Sequence, residues 1–298
     1  MKIKGIVTAM VTPVNATGGI DEQATRKLVN RLIDSGIHGL FILGTNGEFY
    51  ALTDAEKIEL AKIVVEETNG RVPVFAGAGG ISTEGVIHLA KEFGEIGVDA
   101  ISVITPFLIK IDDDELTRHY ETIADESPLP VILYAIPKNT GIHISEGVYD
   151  KLITHSNIVG IKDSGGDIDV LKMYIEKNKR DDFSVLVGSD SLILDALSLG
   201  ADGAVAATSN VLTKTDIGIY QLFLEGDLDK ARSYQLSINE FRRILKFGTV
   251  PSVLKESLVF IGDNVGHPKT PVLPVSEEHT SEIKEVLRLY QEIEGYEV

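Results

Sequence analysis

The sequence predicts an α/β protein, a (β/α)8 barrel of the TIM type followed by a C-terminal helical extension. Eight apolar, β-branched runs alternate with segments of helical periodicity, which is the element count of this barrel. The runs are apolar at successive residues, as expected for parallel strands that are buried on both faces. From residue 227 onward only helical patterns follow, so we place the barrel domain at 1–226 and the extension at 227–298.

Each predicted strand is followed by a predicted helix. The strands are expected at 5–11, 39–43, 72–76, 100–104, 130–134, 158–161, 184–187 and 203–206. Helix starts carry N-cap signals at Thr53 with Glu56, at Ser82 and at Asp167. The acidic run 112–114 is interpreted as another helix cap rather than as a metal triad. Helices in the extension are expected near 228–246, 250–260 and 276–293.

The main alternative fold is a doubly wound sheet that binds a nucleotide. That fold requires a G-x-G-x-x-G turn between a strand and a helix. The candidate turn at 77–80 is followed by Ser82 where the third glycine is needed. The absence of this fingerprint favours the barrel.

Composition excludes several classes of function. With 45 acidic and 28 basic residues the formal charge is −17, which disfavours nucleic acid and anionic membrane as partners. The chain has no cysteine, hence no disulfide or thiolate chemistry, and no long uncharged apolar run. Its 7 histidines are scattered without metal-ligand spacing, so we expect no metal. A cytoplasmic location is expected.

The end of the sixth predicted strand carries a lysine. Lys162 follows the run 158–161 and precedes the turn residues Gly165 and Gly166. A lysine at the mouth of a barrel strand is either a nucleophile that forms a Schiff base with a carbonyl group or a side chain that snorkels from the rim. Tyr134 ends the fifth strand at the same face and would either transfer protons or serve as a core aromatic.

The end of the second predicted strand suits a carboxylate. The turn at 44–47 offers the hydroxyl group of Thr45 and the backbone N–H groups of Asn46 and Gly47, unless it is only a tight polar turn. Together with an amine and a phenol, such a turn fits a 2-oxo acid. This chemistry needs no cofactor, because the imine itself is the electron sink.

Over its whole length the sequence resembles the superfamily of dihydrodipicolinate synthase and N-acetylneuraminate lyase. The resemblance is carried by motifs at 44–48 (GTNGE), 105–106 (TP), 133–137 (LYAIP), 140–141 (TG) and 160–164 (GIKDS). It implies a (β/α)8 barrel and a class I lyase that acts on pyruvate or its adducts. It also implies Lys162 as the Schiff-base residue, Tyr134 as the proton relay and Thr45 as a carboxylate ligand. Gly188 and Val205 match positions whose backbone carbonyl groups face the substrate in relatives.

Three residues depart from the synthase pattern. Asn139 stands where the synthases have an arginine that binds a substrate carboxylate, and a neutral amide cannot form that bidentate pairing. Asn46 replaces the second hydroxyl residue of the turn, and Leu108 replaces a tyrosine that a neighbouring subunit lends to a proton relay. The segment Gly188-Ser189-Asp190 instead resembles the 2-keto-3-deoxy sugar-acid aldolases, in which such groups would bind a polyol.

These features leave three hypotheses about function. The leading one is aldol cleavage or condensation of a 2-keto-3-deoxy sugar acid, or its closely related dehydration. An alternative is a 4-hydroxy-tetrahydrodipicolinate synthase, which condenses pyruvate with aspartate semialdehyde. The third is a non-catalytic protein that binds 2-oxo acids, suggested by the missing tyrosine at Leu108. In all three the ligand is a small 2-oxo acid, and in the enzymes an aldehyde is the second substrate.

The segment after the fourth strand also bears on whether the chain forms oligomers. In relatives, which are commonly tetramers, this segment reaches a neighbouring active site. Here it contains the consecutive apolar residues Phe107, Leu108 and Ile109, which favour burial against a partner. The resemblance therefore implies a homotetramer with these residues in an interface.

Overall fold

Eight parallel strands follow one another around a closed barrel in the computed structural model, which describes all residues from 1 to 298. The strands are β1 Gly5–Ala9, β2 Gly39–Ile42, β3 Val74–Gly77, β4 Ala100–Ile104, β5 Val131–Ala135, β6 Ile158–Asp163, β7 Ser184–Val187 and β8 Gly203–Ala206. The barrel confirms the predicted fold class and excludes the doubly wound sheet.

Helices follow the strands in the predicted alternation. They are α1 Glu22–Asp34, α2 Asp54–Thr68, α3 Thr83–Ile96, α4 Asp113–Glu126, α5 Pro137–Thr140, α6 Glu146–Leu152, α7 Ile168–Lys177, α8 Ile193–Leu199, α9 Thr213–Glu225, α10 Leu228–Ile244, α11 Ser252–Phe260, α12 Thr280–Arg288 and α13 Gln291–Glu294. None of them has the length and apolar character required to cross a membrane.

The predicted helix starts are confirmed by their side-chain caps. Thr53 and Glu56 form a reciprocal capping box at α2, and Ser82 accepts a backbone N–H group at α3. Asp112 caps α4, again as a capping box with Glu115. The acidic run 112–114 is therefore a helix start, as its sequence predicted.

Strand bounds agree with the prediction to within two residues at each end. β4, β7 and β8 have the predicted ranges. The sixth strand was expected to stop before Lys162, but β6 continues to Asp163, so the lysine lies within the strand. Because successive side chains in a strand point to opposite faces of the sheet, Lys162 and Asp163 lie on opposite faces.

The chain divides into two compact units. The first consists of Met1–Gly5 with Phe75–Val205, and the second of Ile6–Val74 with Ala206–Val298. In the first unit, an aromatic cluster ties α6 to α7: the ring centroids of Tyr149 and Tyr174 are 4.7 Å apart, and the Tyr149 hydroxyl group donates to the backbone oxygen of Tyr174.

In the second unit, the last helix caps an earlier one. The N-terminus of α9 has no cap of its own, and the Glu294 carboxylate accepts the backbone N–H groups of Lys214 and Thr215, each at 2.9 Å. Gly226 ends α9 in the left-handed conformation, and Asp227 caps α10. The chain thus changes element at the proposed boundary between barrel and extension, and the division at 226/227 remains a prediction.

Candidate active site

Lys162 and Tyr134 lie side by side on neighbouring strands of the first unit. They are partners in the parallel register of β5 and β6, and the Nζ atom of Lys162 is 4.1 Å from the centroid of the Tyr134 ring. Each residue is only 4% exposed. An amine over an aromatic face in a water-poor setting is an attractive contact. The structure therefore brings together the predicted nucleophile and the predicted proton relay.

Two glycines near the end of β6 permit close packing: Gly188 beside Lys162 and Gly160 beside β7. A Cβ atom at Gly188 would lie 2.0 Å from Oγ of Ser164 and 3.0 Å from Cε of Lys162. A Cβ atom at Gly160 would lie 2.9 Å from the backbone oxygen of Ser184, so glycine permits the close approach of β6 and β7. Gly188, predicted to face the substrate, thus borders the lysine side chain itself.

The other residues predicted near the end of β7 differ in accessibility. Ser189 is half-buried, and its Oγ atom lies 3.3 Å from Oγ of Ser191. Asp190 is buried at the start of a single 3-10 turn, and Val205 is buried within β8. Ser189 is therefore the more accessible of the two side chains proposed to meet a polyol.

A buried carboxyl group lies behind the lysine, on the opposite face of β6. Asp163 is the register partner of Ala135, and both line a cavity of about 280 Å³. Burial raises the pKa of Asp163 to about 6, although its Oδ1 atom accepts the N–H group of Gly165 at 3.2 Å, which acts in the opposite direction. No role was predicted for Asp163 from the sequence, although its alternation with Lys162 along the strand was a usable signal.

In the second unit, the turn at 44–47 is bracketed by two strained residues. Leu43 and Glu48 have φ angles of 58° and 56°, a left-handed conformation that costs a residue with a side chain roughly 1–2 kcal/mol. Thr45 and Asn46 are half-buried, whereas Gly47 is buried, and a Cβ atom there would lie 2.9 Å from the backbone nitrogen of Leu43. The predicted carboxylate turn is thus a tightly specified structure.

Glu48 is held by a buried network that the sequence did not suggest. Its Oε2 atom lies 2.5 Å from Nζ of Lys255, in an ion pair rather than a well-directed hydrogen bond. Its Oε1 atom accepts the backbone N–H group of Lys269 at 2.6 Å. Glu48 and Lys255 are both fully buried. The pairing could not be predicted from the sequence, because Lys255 lies in α11, far along the chain from the turn.

Two of the three residues that depart from the synthase pattern, Asn139 and Leu108, lie in exposed positions of the first unit. Asn139 is exposed in α5, which is fixed to the end of β4 by a hydrogen bond of 2.8 Å from Thr105 to the hydroxyl group of Thr140. Leu108 is 89% exposed and has a φ angle of 75°. Neither contributes a cation or a hydroxyl group.

No group of three or more histidine, aspartate or glutamate side chains is arranged to hold a metal ion. Independence from metals and cofactors remains a prediction, which rests on the chemistry of the lysine. An imine withdraws electrons from the neighbouring carbon without a cation.

A (β/α)8 barrel with a buried lysine beside a tyrosine on adjacent strands is the arrangement expected of lyases that work through a lysine Schiff base. The Dihydrodipicolinate synthetase family matches residues 2–289, and the chain belongs to this family. It is therefore a class I, pyruvate-dependent carbon–carbon lyase, as the sequence motifs predicted.

Similar proteins cover nearly the whole chain. The 4-hydroxy-tetrahydrodipicolinate synthase 1 of Halalkalibacterium halodurans is 36% identical over 284 residues, covering 95% of this chain and 96% of the relative. Dihydrodipicolinate synthase DapA-2 from Bacillus anthracis is 37% identical, with a TM-score of 0.93 and coverage of 96% and 98%. YagE, a member of the same family from E. coli solved in complex with pyruvate, is 31% identical, with a TM-score of 0.92 and coverage of 97% and 98%.

These comparisons bear on the three hypotheses. The two similar synthases carry the name of the alternative hypothesis rather than that of the leading one, a sugar-acid aldolase. Family membership supports an enzyme over a non-catalytic binding protein.

Proposed function

We propose that Lys162 forms an imine with pyruvate and that the protein makes or breaks a carbon–carbon bond at the methyl carbon of that pyruvate. The observation that carries the proposal is the position of the buried Lys162 amine, 4.1 Å from the centroid of the Tyr134 ring. The pyruvate complex of YagE, a protein similar along 97% of this chain, supports pyruvate as the first substrate.

The chemistry follows from an amine and a phenol in contact. The neutral amine of Lys162 attacks the C2 carbonyl carbon of pyruvate, and the resulting carbinolamine loses water when its hydroxyl group takes a proton from Tyr134. The imine acidifies the methyl group, whose proton passes to the Tyr134 phenolate left by the dehydration, and an enamine results. The enamine carbon then attacks an aldehyde carbon while Tyr134 gives its proton to the aldehyde oxygen. Water adds to the product imine and returns a proton to Tyr134, and loss of the 2-oxo acid regenerates the Lys162 amine. Cleavage runs through the same steps in reverse.

The carboxylate of pyruvate is assigned to the turn at 44–47. The hydroxyl group of Thr45 and the N–H groups of Asn46 and Gly47 are donors at the end of β2, and in barrel enzymes substrates bind at the C-terminal ends of the strands. The half-buried state of Thr45 and Asn46 supports this assignment, because donors at such positions remain accessible to a small anion.

Two aldehydes compete as the second substrate. Aspartate semialdehyde is favoured by the names of the similar synthases. A sugar-derived aldehyde, as in the cleavage of a 2-keto-3-deoxy sugar acid, is favoured by the exposed, neutral Asn139 and by the accessible hydroxyl group of Ser189, next to Gly188. A neutral amide does not provide the bidentate pairing that a second carboxylate would receive from an arginine.

Borohydride trapping tests the imine. Reduction in the presence of pyruvate should add one pyruvate-derived mass, located on Lys162 by peptide mapping, and Lys162→Ala should carry none. Tyr134→Phe is the matched control that retains the amine and should still be labelled. An adduct on a different lysine, or no adduct on the wild type, would overturn the proposal.

A competition between aldehydes tests the second substrate. Turnover of pyruvate with aspartate semialdehyde is compared with pyruvate release from 2-keto-3-deoxygluconate. If Asn139 is what disfavours the semialdehyde, Asn139→Arg should raise its kcat/KM by about 10- to 100-fold, the worth of a charge-assisted pair, and leave the sugar acid unaffected. Efficient use of the semialdehyde by the wild type, unchanged in Asn139→Arg, would assign the protein as a synthase.

A further inference from the structure

The turn at 44–47 depends on groups outside it for its shape. Residues with side chains persist in the left-handed conformation only where the surrounding structure determines them, and both Leu43 and Glu48 are in that conformation. Glu48 adjoins the turn directly and its backbone oxygen accepts the N–H group of Ala51 at 2.8 Å. Whatever fixes Glu48 therefore also fixes the last donor of the turn, Gly47.

Glu48 is fixed by Lys255. The two residues are fully buried, with Nζ of Lys255 2.5 Å from Oε2 of Glu48. The same Nζ atom donates to the backbone oxygen of His267 at 3.0 Å, so the amine has a defined position of its own on α11. The other carboxylate oxygen of Glu48 accepts the N–H group of Lys269. The carboxylate is therefore held from two directions.

The turn is also held at Gly47 itself. Oγ1 of Thr12 donates to the backbone oxygen of Gly47 at 2.7 Å in a buried hydrogen bond. That bond and the Glu48–Lys255 pair constrain two consecutive residues. The N–H groups of the turn are thereby oriented before any ligand arrives.

Stability alone is a poor reason for such a pair. A buried ion pair is frequently no more stabilising than two well-packed apolar side chains of similar volume, because both charges lose their hydration. Burial indeed lowers the pKa of Lys255 in spite of the adjacent carboxylate. Two apolar side chains would not fix the position of Glu48, the residue that follows Gly47, by a charge interaction.

We infer that Lys255 is a positioning residue for substrate binding: by pairing with Glu48 it holds the turn at 44–47 in the shape that receives the carboxylate of the 2-oxo acid. The inference deepens the proposed function and rests on it for the identity of the ligand. It concerns ground-state binding, because the turn contacts a carboxylate that does not change during the reaction.

The kinetic test uses Lys255→Met together with Arg31→Met as the matched control. Arg31 is a partly buried cation of the same unit, paired with Asp263, and it makes no contact with the turn. Lys255→Met should raise KM for pyruvate about tenfold or more with kcat within about threefold, the pattern of lost uniform binding. Arg31→Met should leave KM unchanged. Equal KM changes in the two variants would mean that any lost ion pair has this effect, and would overturn the inference.

A double variant separates positioning from stability. Lys255→Met leaves the Glu48 charge buried and unpaired, which can impair folding. Glu48→Gln with Lys255→Met removes both charges and should regain thermal stability, yet KM should stay raised because the anchor is still missing. If KM returns to the wild-type value together with stability, the pair has a structural role only and the inference is wrong.

Hydrogen exchange tests, without any substrate, whether the Glu48–Lys255 pair holds the turn at 44–47 in shape. In the double variant the amides of residues 44–48 should lose protection relative to the wild type, while Arg31→Met should leave them protected. Unchanged protection of these amides in the double variant would overturn the inference. If the wild type forms no pyruvate adduct, the proposed function fails by itself, and the exchange result still shows whether Lys255 positions the turn.

Discussion

Two regions of this protein each contain a buried lysine next to a buried carboxyl group, and they arrange the two groups in opposite ways. Lys255 and Glu48 are distant in sequence and face each other at 2.5 Å. Lys162 and Asp163 are consecutive in β6 and face opposite sides of the strand, the amine toward Tyr134 and the carboxyl group toward a cavity.

The difference shows how the same residue type is used for structure or for chemistry. The Lys255 amine lies against the Glu48 carboxylate and donates to the backbone oxygen of His267, so its position is fixed by an ion pair and a hydrogen bond. In β6 the alternation of the strand turns the neighbouring carboxyl group away from the amine. Lys255 is therefore a structural anchor, whereas Lys162 lies against the Tyr134 ring, where the proposed chemistry takes place.

The largest expected effect is the contrast between the two lysines in borohydride trapping. Lys162→Met should lose the pyruvate adduct completely. Lys255→Met should still form it at saturating pyruvate, since its own amine is not the nucleophile. Mass spectrometry of the intact protein measures both, and an adduct that survives in Lys162→Met would remove the distinction between the two lysines.

The next largest effect is expected from the hydroxyl group of Tyr134, beside the Lys162 amine. Tyr134→Phe keeps the ring over the Lys162 amine but removes the hydroxyl group, so the imine should form while turnover falls by on the order of 10²- to 10⁴-fold. Single-turnover kinetics with the preformed adduct measure the step directly. A rate equal to that of the wild type would show that the ring has only a packing role.

The buried carboxyl group of Asp163 can be tested through the pH dependence of stability. The folded protein raises the pKa of Asp163 from 3.8 to about 6, so between these values the folded state holds more protons than the unfolded one. The stabilising contribution is complete below about pH 4 and is lost as the pH rises through 6; it amounts to up to about 3 kcal/mol.

Asp163→Asn should therefore gain free energy of unfolding relative to the wild type between pH 4 and pH 7, as measured by urea denaturation at each pH. The Asn side chain retains an acceptor for the Gly165 N–H group, which makes it a conservative control. Parallel pH profiles for the two proteins would show that Asp163 is charged in the folded state throughout this range.

The smallest effect on the rate is expected at Leu108. We propose that this side chain, 89% exposed in the single chain, packs against a second copy in a homotetramer. Leu108→Asp should then weaken assembly about tenfold or more in sedimentation experiments, because it places an unpaired charge in an apolar contact. Leu108→Tyr should keep assembly and leave the rate largely unchanged.

A large gain in rate for Leu108→Tyr would show instead that a third hydroxyl group completes a proton relay with Tyr134. A monomeric wild type would contradict the assembly itself. In the first case the site around Lys162 would include a residue of a second copy of the chain. In the second case it would consist of one chain alone, as the Glu48–Lys255 pair does.

Local patterns were sufficient to predict the barrel. Apolar runs such as 100–104 and N-caps such as Thr53 depend on residues close together in sequence, and both appear where they were expected. Lys162 was identifiable because it ends an apolar run before a glycine turn. Its pairing with Tyr134 followed from the rule that strand ends share one face of a barrel.

Contacts between distant segments were not predictable in this way. Lys255 lies in a helix whose sequence suits a solvent-exposed lysine, and only the three-dimensional packing of α11 places it against Glu48. The positive φ angles at Leu43 and Glu48 were equally hidden, since neither residue type favours that conformation. The short helix α5, which begins at Pro137, was also not anticipated.

The lack of a side chain at Gly188 also limits how this enzyme can be engineered. A methyl group there would force the Ser164 hydroxyl group to move and would press on Cε of Lys162, so even Gly188→Ala would disturb the surroundings of the nucleophile. Mutant libraries intended to change the preferred aldehyde should therefore keep position 188 constant and vary Ser189 and Asn139. The missing side chain of Gly188 therefore limits which substitutions the neighbourhood of Lys162 can accept.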